Sequence, residues 1–321
     1  MPDLKYVLAL SALLLLSVVS VLIGVSDLSL SALLAGENAT ARLVLIEVRI
    51  PRTLALLFAG AGMAVCGTIM QMLARNRFVE PSTAGTVESA GLGILVVLLL
   101  APDLSVYLKM LVATAFALAG TGLFLLILTR IPLRSPLMVP LVGIMLGGII
   151  SAVTTFFAYR YDMLQSLGAW TTGDFSAVLR GRYELLWLSL GLTALAYAAA
   201  DRFTVIGMGE AFATNLGVHY GRVVTLGLVI VSMVTAAVVV TVGMMPFLGL
   251  IVPNLVAMAM GDRLRRSLPW VAIIGAGLVV VCDMIGRLVI APFEVPVGTV
   301  LGMLGSAFFL YLVLRRRLRA A

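Results

Sequence analysis

The chain has 321 residues, 62% of them hydrophobic and 12% charged, with a mean hydropathy of +1.15 and a formal net charge of +7. So little charge cannot cover the outside of a soluble domain of this size, so a soluble enzyme or regulator is excluded. A pI near 9.8 would suggest nucleic acid in a soluble protein, but here the Lys and Arg residues fall in short gaps between apolar runs, where they report orientation in a bilayer rather than nucleic-acid binding.

Apolar runs of about 20 residues, the length that crosses a bilayer core, recur down the whole sequence. Ten helical spans are predicted, near 6–25, 53–73, 84–101, 107–129, 137–159, 185–200, 223–242, 246–260, 268–290 and 296–314. The sixth and eighth are short. The expected fold is therefore all-α, one polytopic transmembrane domain over 1–321. With the N-terminus inside, 14 of the 22 Lys and Arg lie on the cytoplasmic side, which places both termini in the cytoplasm. The first run follows Lys5 and is longer than a signal-peptide core, with no clear cleavage site after it, so it is expected to stay as an uncleaved span.

Arg49-Ile50-Pro51-Arg52 lies at the outer mouth of the second span, on the side that should be poor in arginine, and Arg287 adds to it from the outer end of the ninth. Exposed guanidiniums there suit carboxylates of an extracytoplasmic partner or an anionic ligand, and equally suit an interfacial anchor. The second span is rich in small residues at helix-contact spacing, Gly60-Ala61-Gly62 with Gly67; Gly143, Gly147 and Gly148 repeat the device in the fifth. Between the second and third spans, 74–85 reads as a helix stop and an extended turn on the inner side, where Asn76 and Phe78 could line a constriction or simply face solvent. Glu88 is the main ionisable residue within a span. Asp283 is another, but it stands four residues before Arg287 and can pair with it along the helix. Cys66 and Cys282 have no metal or disulfide spacing and read as small packing residues.

The most distinctive stretch is the cytoplasmic loop 201–222, and within it Ile206 to Arg222. It carries the only histidine, His219, and reads as a short capped helix. Glu210 suits a helix N-terminus and Gly217 a helix stop, while Ala211, Phe212 and Leu216 place an apolar stripe on one side. Such a helix suits a partner's groove; an ordinary loop is the plain alternative. Further on, Pro246 and Pro253 flank an apolar stretch that should kink or re-enter the membrane.

No catalytic constellation, paired histidines or nucleotide-binding sequence is present, so no enzyme activity is expected and any uphill movement must draw energy from outside the chain. The scarcity of mid-span charge argues against an ion-coupled secondary transporter. An intramembrane enzyme would need a catalytic pair that cannot be assembled here.

Taken together, the motifs resemble the permease subunits of bacterial ABC importers for iron–siderophore complexes, haem and cobalamin, the FecCD type. They are Arg49-x-Pro51-Arg52, the run from Ala59 to Gly67 into Met70-Gln71, Asn76 with Glu80-Pro81, and Gly209-Glu210-x-x-Ala213-x-x-Leu216-Gly217. Gly249 to Pro253, Asp283-x-x-x-Arg287 and Val295 to Gly298 complete the set. Asn254 departs from a position where that family often has His, and Pro246 interrupts a run that is usually apolar. The stretch 67–86 looks most like the branch handling catecholate siderophores.

The resemblance implies the type II importer permease fold with ten spans, in the bacterial cytoplasmic (inner) membrane. It implies two cytoplasmic ATPases, an extracytoplasmic solute-binding protein and a second permease subunit, identical or paralogous. ATP and Mg would be bound by the ATPase rather than by this chain, and no cofactor, metal or nucleic acid is expected. By the same resemblance Gly209, Glu210, Ala213, Leu216 and Gly217 look like the ATPase coupling loop. Arg49, Arg52 and Arg287 match outer arginines that meet glutamates of the binding protein. Asn76, Phe78, Ser135 and Pro136 fall at an inner gate. A haem or cobalamin permease is the alternative within the family.

Overall fold

A computed structural model describes residues 2–23, 39–131, 138–261 and 263–320. Apart from one isolated parallel bridge between Thr172 and Met244, the regular structure among them is helical. That is what a bilayer demands of a chain with these apolar runs, because a helix satisfies its own backbone groups where no water can.

Among the described residues, six helices are long and apolar enough to cross a membrane. These are α1 (Pro2–Leu22), α3 (Ile50–Leu73), α5 (Val106–Arg130), α6 (Met138–Arg160), α11 (Tyr220–Val242) and α13 (Leu264–Val289). A short helix α2 (Ala39–Val44) and a π-helical turn at Leu45–Arg49 lead into α3. Four shorter helices fill the remaining predicted spans: α4 (Thr86–Leu100), α8 (Leu185–Ala198), α12 (Leu248–Met260) and α14 (Val297–Ala320), whose apolar part ends near Tyr311. The predicted sixth and eighth spans are short, as expected. The 13 residues of α12 rise only about 20 Å, less than a bilayer core. It starts late because the chain turns at Phe247, a non-glycine residue at φ 63°. Pro253 sits inside this helix. Three small helices lie between spans: α7 (Leu164–Thr171), α9 (Ala200–Gly207) and α10 (Glu210–Asn215).

Helix α3 is the axis of the bundle and packs against α8, α11, α12 and α13. Its glycines let backbones meet. A Cβ at Gly60 would come within 2.8 Å of the Gly275 carbonyl oxygen, and one at Gly67 would overlap the backbone of Gly249. In lipid, where apolar side chains gain nothing by leaving the solvent, such close approach supplies the attraction between helices. Around this axis Ile69, Phe203, Val231 and Val252 form part of one continuous buried core. Cys66 and Cys282 are buried and unbonded to each other, packing residues as expected.

Contacts sort the two ends of the bundle. The Tyr6 hydroxyl donates to the Arg266 carbonyl at 3.2 Å and the Tyr6 ring lies on Trp270, while the far end of α1 meets Arg287. Helices α1 and α13 thus run parallel, as the first and ninth spans of an alternating series must. The same end as Tyr6 holds α9 and α10, since the Leu264 amide donates to Thr204 and Arg265 pairs with Asp201. The other end holds 172–184, where Arg180 pairs with Glu47, and the segment 290–296.

Candidate functional site

The loop 201–222 folds as two short helices joined at a glycine. In α9, Ala200, Phe203 and Ile206 are buried and anchor the segment to the bundle. Gly209 then takes φ 109° and ψ 161°, a conformation open to few side chains, and its carbonyl accepts from the Ala213 amide at 3.0 Å. Glu210 is the first residue of α10 and is exposed. The helix ends in a Schellman arrangement. The Val218 amide donates to Ala213 O at 2.9 Å and the Gly217 amide to Thr214 O at 2.9 Å, with Gly217 at φ 75°. The capped helix read from the sequence is therefore present, with its start and stop at the expected residues. Only Ala213 of α10 is buried. Phe212 and Leu216 are 47% and 57% exposed, and Met208 is exposed beside them. The result is a capped apolar knob whose Phe212, Leu216 and Met208 are exposed.

Behind the knob runs the connection 74–85. Helix α3 stops at Ala74 because Arg75 takes φ 47°. Nη1 of Arg75 lies 3.1 Å from where a Cβ of Gly209 would stand, so this guanidinium covers that glycine. Asn76 is buried; its amide donates to Gln71 O and its side-chain oxygen accepts from the Phe78 amide at 2.9 Å. The ring of Phe78 meets Phe309 of α14 edge-on at 5.8 Å. Asn254 donates to Arg77 O and to Leu250 O, which ties α12 to the same connection. Ser135 and Pro136 lie outside the described residues.

Glu80, one member of a motif in the sequence, is a junction in the fold. Its buried carboxylate accepts from the Ser82 hydroxyl at 2.6 Å and from the Phe247 amide at 3.3 Å, where α12 begins. Burial pushes its carboxyl above the usual carboxylate range, against the opposing pull of those two donors. An acid directly before Pro81 in a glycine-poor turn is a weak signal, and nothing local pairs it with residue 247.

At the outer end the arginines are not laid out as a free surface. Arg49 is buried and donates to Val21 O and Leu22 O at 2.9 and 3.0 Å, closing the C-terminus of α1. Arg287 donates to Ser20 O, Ile23 O and the Ser20 hydroxyl, and pairs with Asp283 one turn earlier, as its spacing suggests. Arg52 bonds Asp283 through Nε and Nη2 and grips Glu294 with both terminal nitrogens at 3.2 and 2.8 Å. The exposure anticipated for these three residues is thus absent from this conformation. The reason is that carbonyls at the end of α1 and two acids need these donors more cheaply than water can supply them. Arg52, 12% exposed in its side chain, is the nearest of them to the surface. Glu294 is the member of this cluster that the sequence reading missed.

Glu88 is half-buried in α4 and packs its carboxyl against Gly147 of α6. It stands apart from the other groups described above.

A family model described as the FecCD transport family matches residues 7–315. The petrobactin import system permease protein YclN of Bacillus subtilis strain 168 is 50% identical over 307 residues, covering 95% of this chain and 96% of that protein. The ferric-anguibactin transport system permease protein FatD of Vibrio anguillarum is 44% identical over 284 residues, covering 88% of this chain and 90% of its own length. The vitamin B12 import system permease BtuC of Pectobacterium atrosepticum is 32% identical over 280 residues, covering 85% of this chain and 82% of that protein. Among solved structures, a metal-chelate type ABC transporter in an inward-facing conformation superposes with a TM-score of 0.85 at 24% identity, over 98% of this chain and all of that one.

Proposed function

Starting from a chain that belongs to the FecCD transport family, we infer that it is the multi-pass permease subunit of an ATP-driven importer that carries a ferric siderophore of the catecholate type into the cytoplasm. The observation that carries this reading is the 50% identity, along nearly the whole of both chains, to a petrobactin import permease. The match to a vitamin B12 permease is much weaker, which makes cobalamin the lesser alternative.

The geometry supports a division of labour. The permease performs no chemistry. ATP binding and hydrolysis take place on two cytoplasmic ATPase subunits, which seat against Gly209, Glu210, Ala213, Leu216 and Gly217. The knob is closed by its Schellman turn and anchored through α9 to the axial helix α3, a route by which a push at the surface reaches the bundle. Asn76 and Phe78, with Ser135 and Pro136, form the inner gate; the Phe78–Phe309 contact gives that gate a partner on α14. Arg49, Arg52 and Arg287 serve docking of a solute-binding protein chiefly by bracing the outer rim, with Arg52 best placed to exchange an internal acid for one on the partner. The exposed apolar face of α6, including Ile144, Met145, Ile149 and Phe156, meets lipid or a second permease subunit.

The test is uptake of radiolabelled ferric petrobactin in cells lacking the gene and complemented with it. Uptake should depend on this chain and stop when ATP is depleted or the ATPase subunit is removed. Uptake that continues without the ATPase, or complementation confined to cobalamin, would overturn the reading.

A further inference from the structure

Glu88 lies in the first turn of α4, inside a predicted span, and the division of labour above leaves it without a task. Its polar neighbours in that turn are accommodated. Thr86 and Ser89 are buried; the Thr86 hydroxyl bonds that of Thr121 at 2.7 Å, and the Ser89 hydroxyl donates to Gly85 O at 2.7 Å. Oε2 of Glu88 is buried too, yet it has no hydrogen-bond partner among the described residues. A buried polar oxygen left unbonded is a cost that folding normally removes, and an ionisable side chain within a span is more costly still. An acid in a first turn suits the helix dipole, but the dipole does not require burial against a neighbouring backbone.

The backbone it meets is that of α6. A Cβ at Gly147 would stand 3.1 Å from Glu88 Cδ and 3.3 Å from Oε2, so the carboxyl occupies the space that a side chain at 147 would take. Gly148 beside it is exposed, with nothing within 4 Å of a Cβ. Met145 and Ile149, two residues to either side of Gly147 and therefore on the far side of the helix, are 62% and 65% exposed. At this level α6 is a single wall thinned by two glycines, with the carboxyl on one side and an open face on the other. Helix α6 begins at Met138, directly after the connection that carries Ser135 and Pro136, so a movement of the proposed inner gate is passed to it.

We propose that Glu88 is a hydration latch on α6: its carboxyl is dry in this conformation and is wetted when α6 shifts to open the inner gate. This inference rests on the importer reading given above and adds to it a residue outside both the gate and the coupling loop. Packed against Gly147, Oε2 lacks a partner, so this position of α6 carries a penalty. Water that reaches Oε2 after the shift relieves the penalty and biases the equilibrium towards the shifted arrangement. Gly147 keeps the wall thin, so a small shift is enough.

The experiment compares Glu88→Met and Glu88→Gln in the full-length chain. Methionine has a similar length and is apolar, so it removes the unbonded oxygen. Its thermal midpoint, read by tryptophan fluorescence in detergent, should rise by about 2 °C, while uptake of ferric petrobactin by complemented cells falls about tenfold at equal membrane abundance. A residue that merely packs would not move the two in opposite directions. Glutamine keeps a polar head for water and should retain native uptake. In lipid nanodiscs with the ATPase subunit, Glu88→Cys should react with a water-soluble maleimide about tenfold faster during ATP turnover than without nucleotide, over the background of the buried native cysteines. A midpoint of Glu88→Met that is unchanged or lowered, unchanged uptake, or equal labelling in the two states would each overturn the latch and leave the importer reading standing. Uptake lost in Glu88→Gln as fully as in Glu88→Met would assign the effect to charge and overturn it as well. If the native chain gives no ATP-dependent uptake, the importer reading falls and the latch with it.

Discussion

At the scale of single residues, the three outer arginines are held by carbonyls and acids of this chain. Arg52 stands between Asp283 and Glu294, so Arg52→Glu would place three acids together at the outer rim. Breaking a largely buried pair of this kind costs about 3–5 kcal/mol. The exposed pair of Arg180 with Glu47 is worth about 0–1 kcal/mol. Arg52→Glu is therefore expected to lower the thermal midpoint well below that of Arg180→Glu, measured by tryptophan fluorescence in detergent. Equal midpoints would leave Arg52 without a structural role.

Glu80 makes a second prediction. Its folded carboxyl binds the proton more tightly than an unfolded one, for which the usual value is about 4.3. Its contribution to stability is thus full below that value and is lost as pH rises through the higher folded one. Glu80→Gln keeps an acceptor for Ser82 and Phe247 and cannot ionise, so it should fold near native stability and flatten the pH dependence of stability in that window. Glu80→Ala should be the worse variant at every pH, since it leaves the part-buried Phe247 amide without its acceptor.

At the scale of elements, two glycines have separate tasks. Gly217 at φ 75° ends α10, and Gly217→Val forces a branched side chain into a left-handed position, a cost of about 1–3 kcal/mol. Nothing packs against a Cβ there, so the cost falls on the knob and not on the bundle. The expected outcome is normal membrane abundance with reduced ATPase coupling, read as hydrolysis per ferric siderophore transported. If Glu210 meets the ATPase as proposed, Glu210→Arg should uncouple in the same way by reversing its charge. Gly67 lies where α3 touches the Gly249 backbone, and Gly67→Leu has no room to enter. That variant should fail to accumulate folded protein, as seen by size-exclusion chromatography, and ordinary accumulation would mean that α3 and α12 can separate without loss.

At the scale of the whole molecule, the order of spans and the position of the cytoplasmic turn were legible in the sequence, because both rest on rules that act within one segment. A bilayer core selects apolar runs of about 20 residues and helices that satisfy their own backbone. Helix caps act within a turn, which is why Glu210 and Gly217 marked α10 from their order alone. The pairing of Asp283 with Arg287 was legible for the same reason, being one helical turn. Only the tertiary structure decided that Arg52 meets Asp283 and Glu294, more than 230 positions away, that Glu80 holds the start of α12, and that Arg75 covers Gly209. The physical reason is reach. Hydropathy and capping are decided by neighbours along the chain, whereas the partner of a buried charge is decided by which helices approach closely enough to exclude water between them. The approach of α3 to α12 and α13 is set by glycine contacts whose partners no local pattern names.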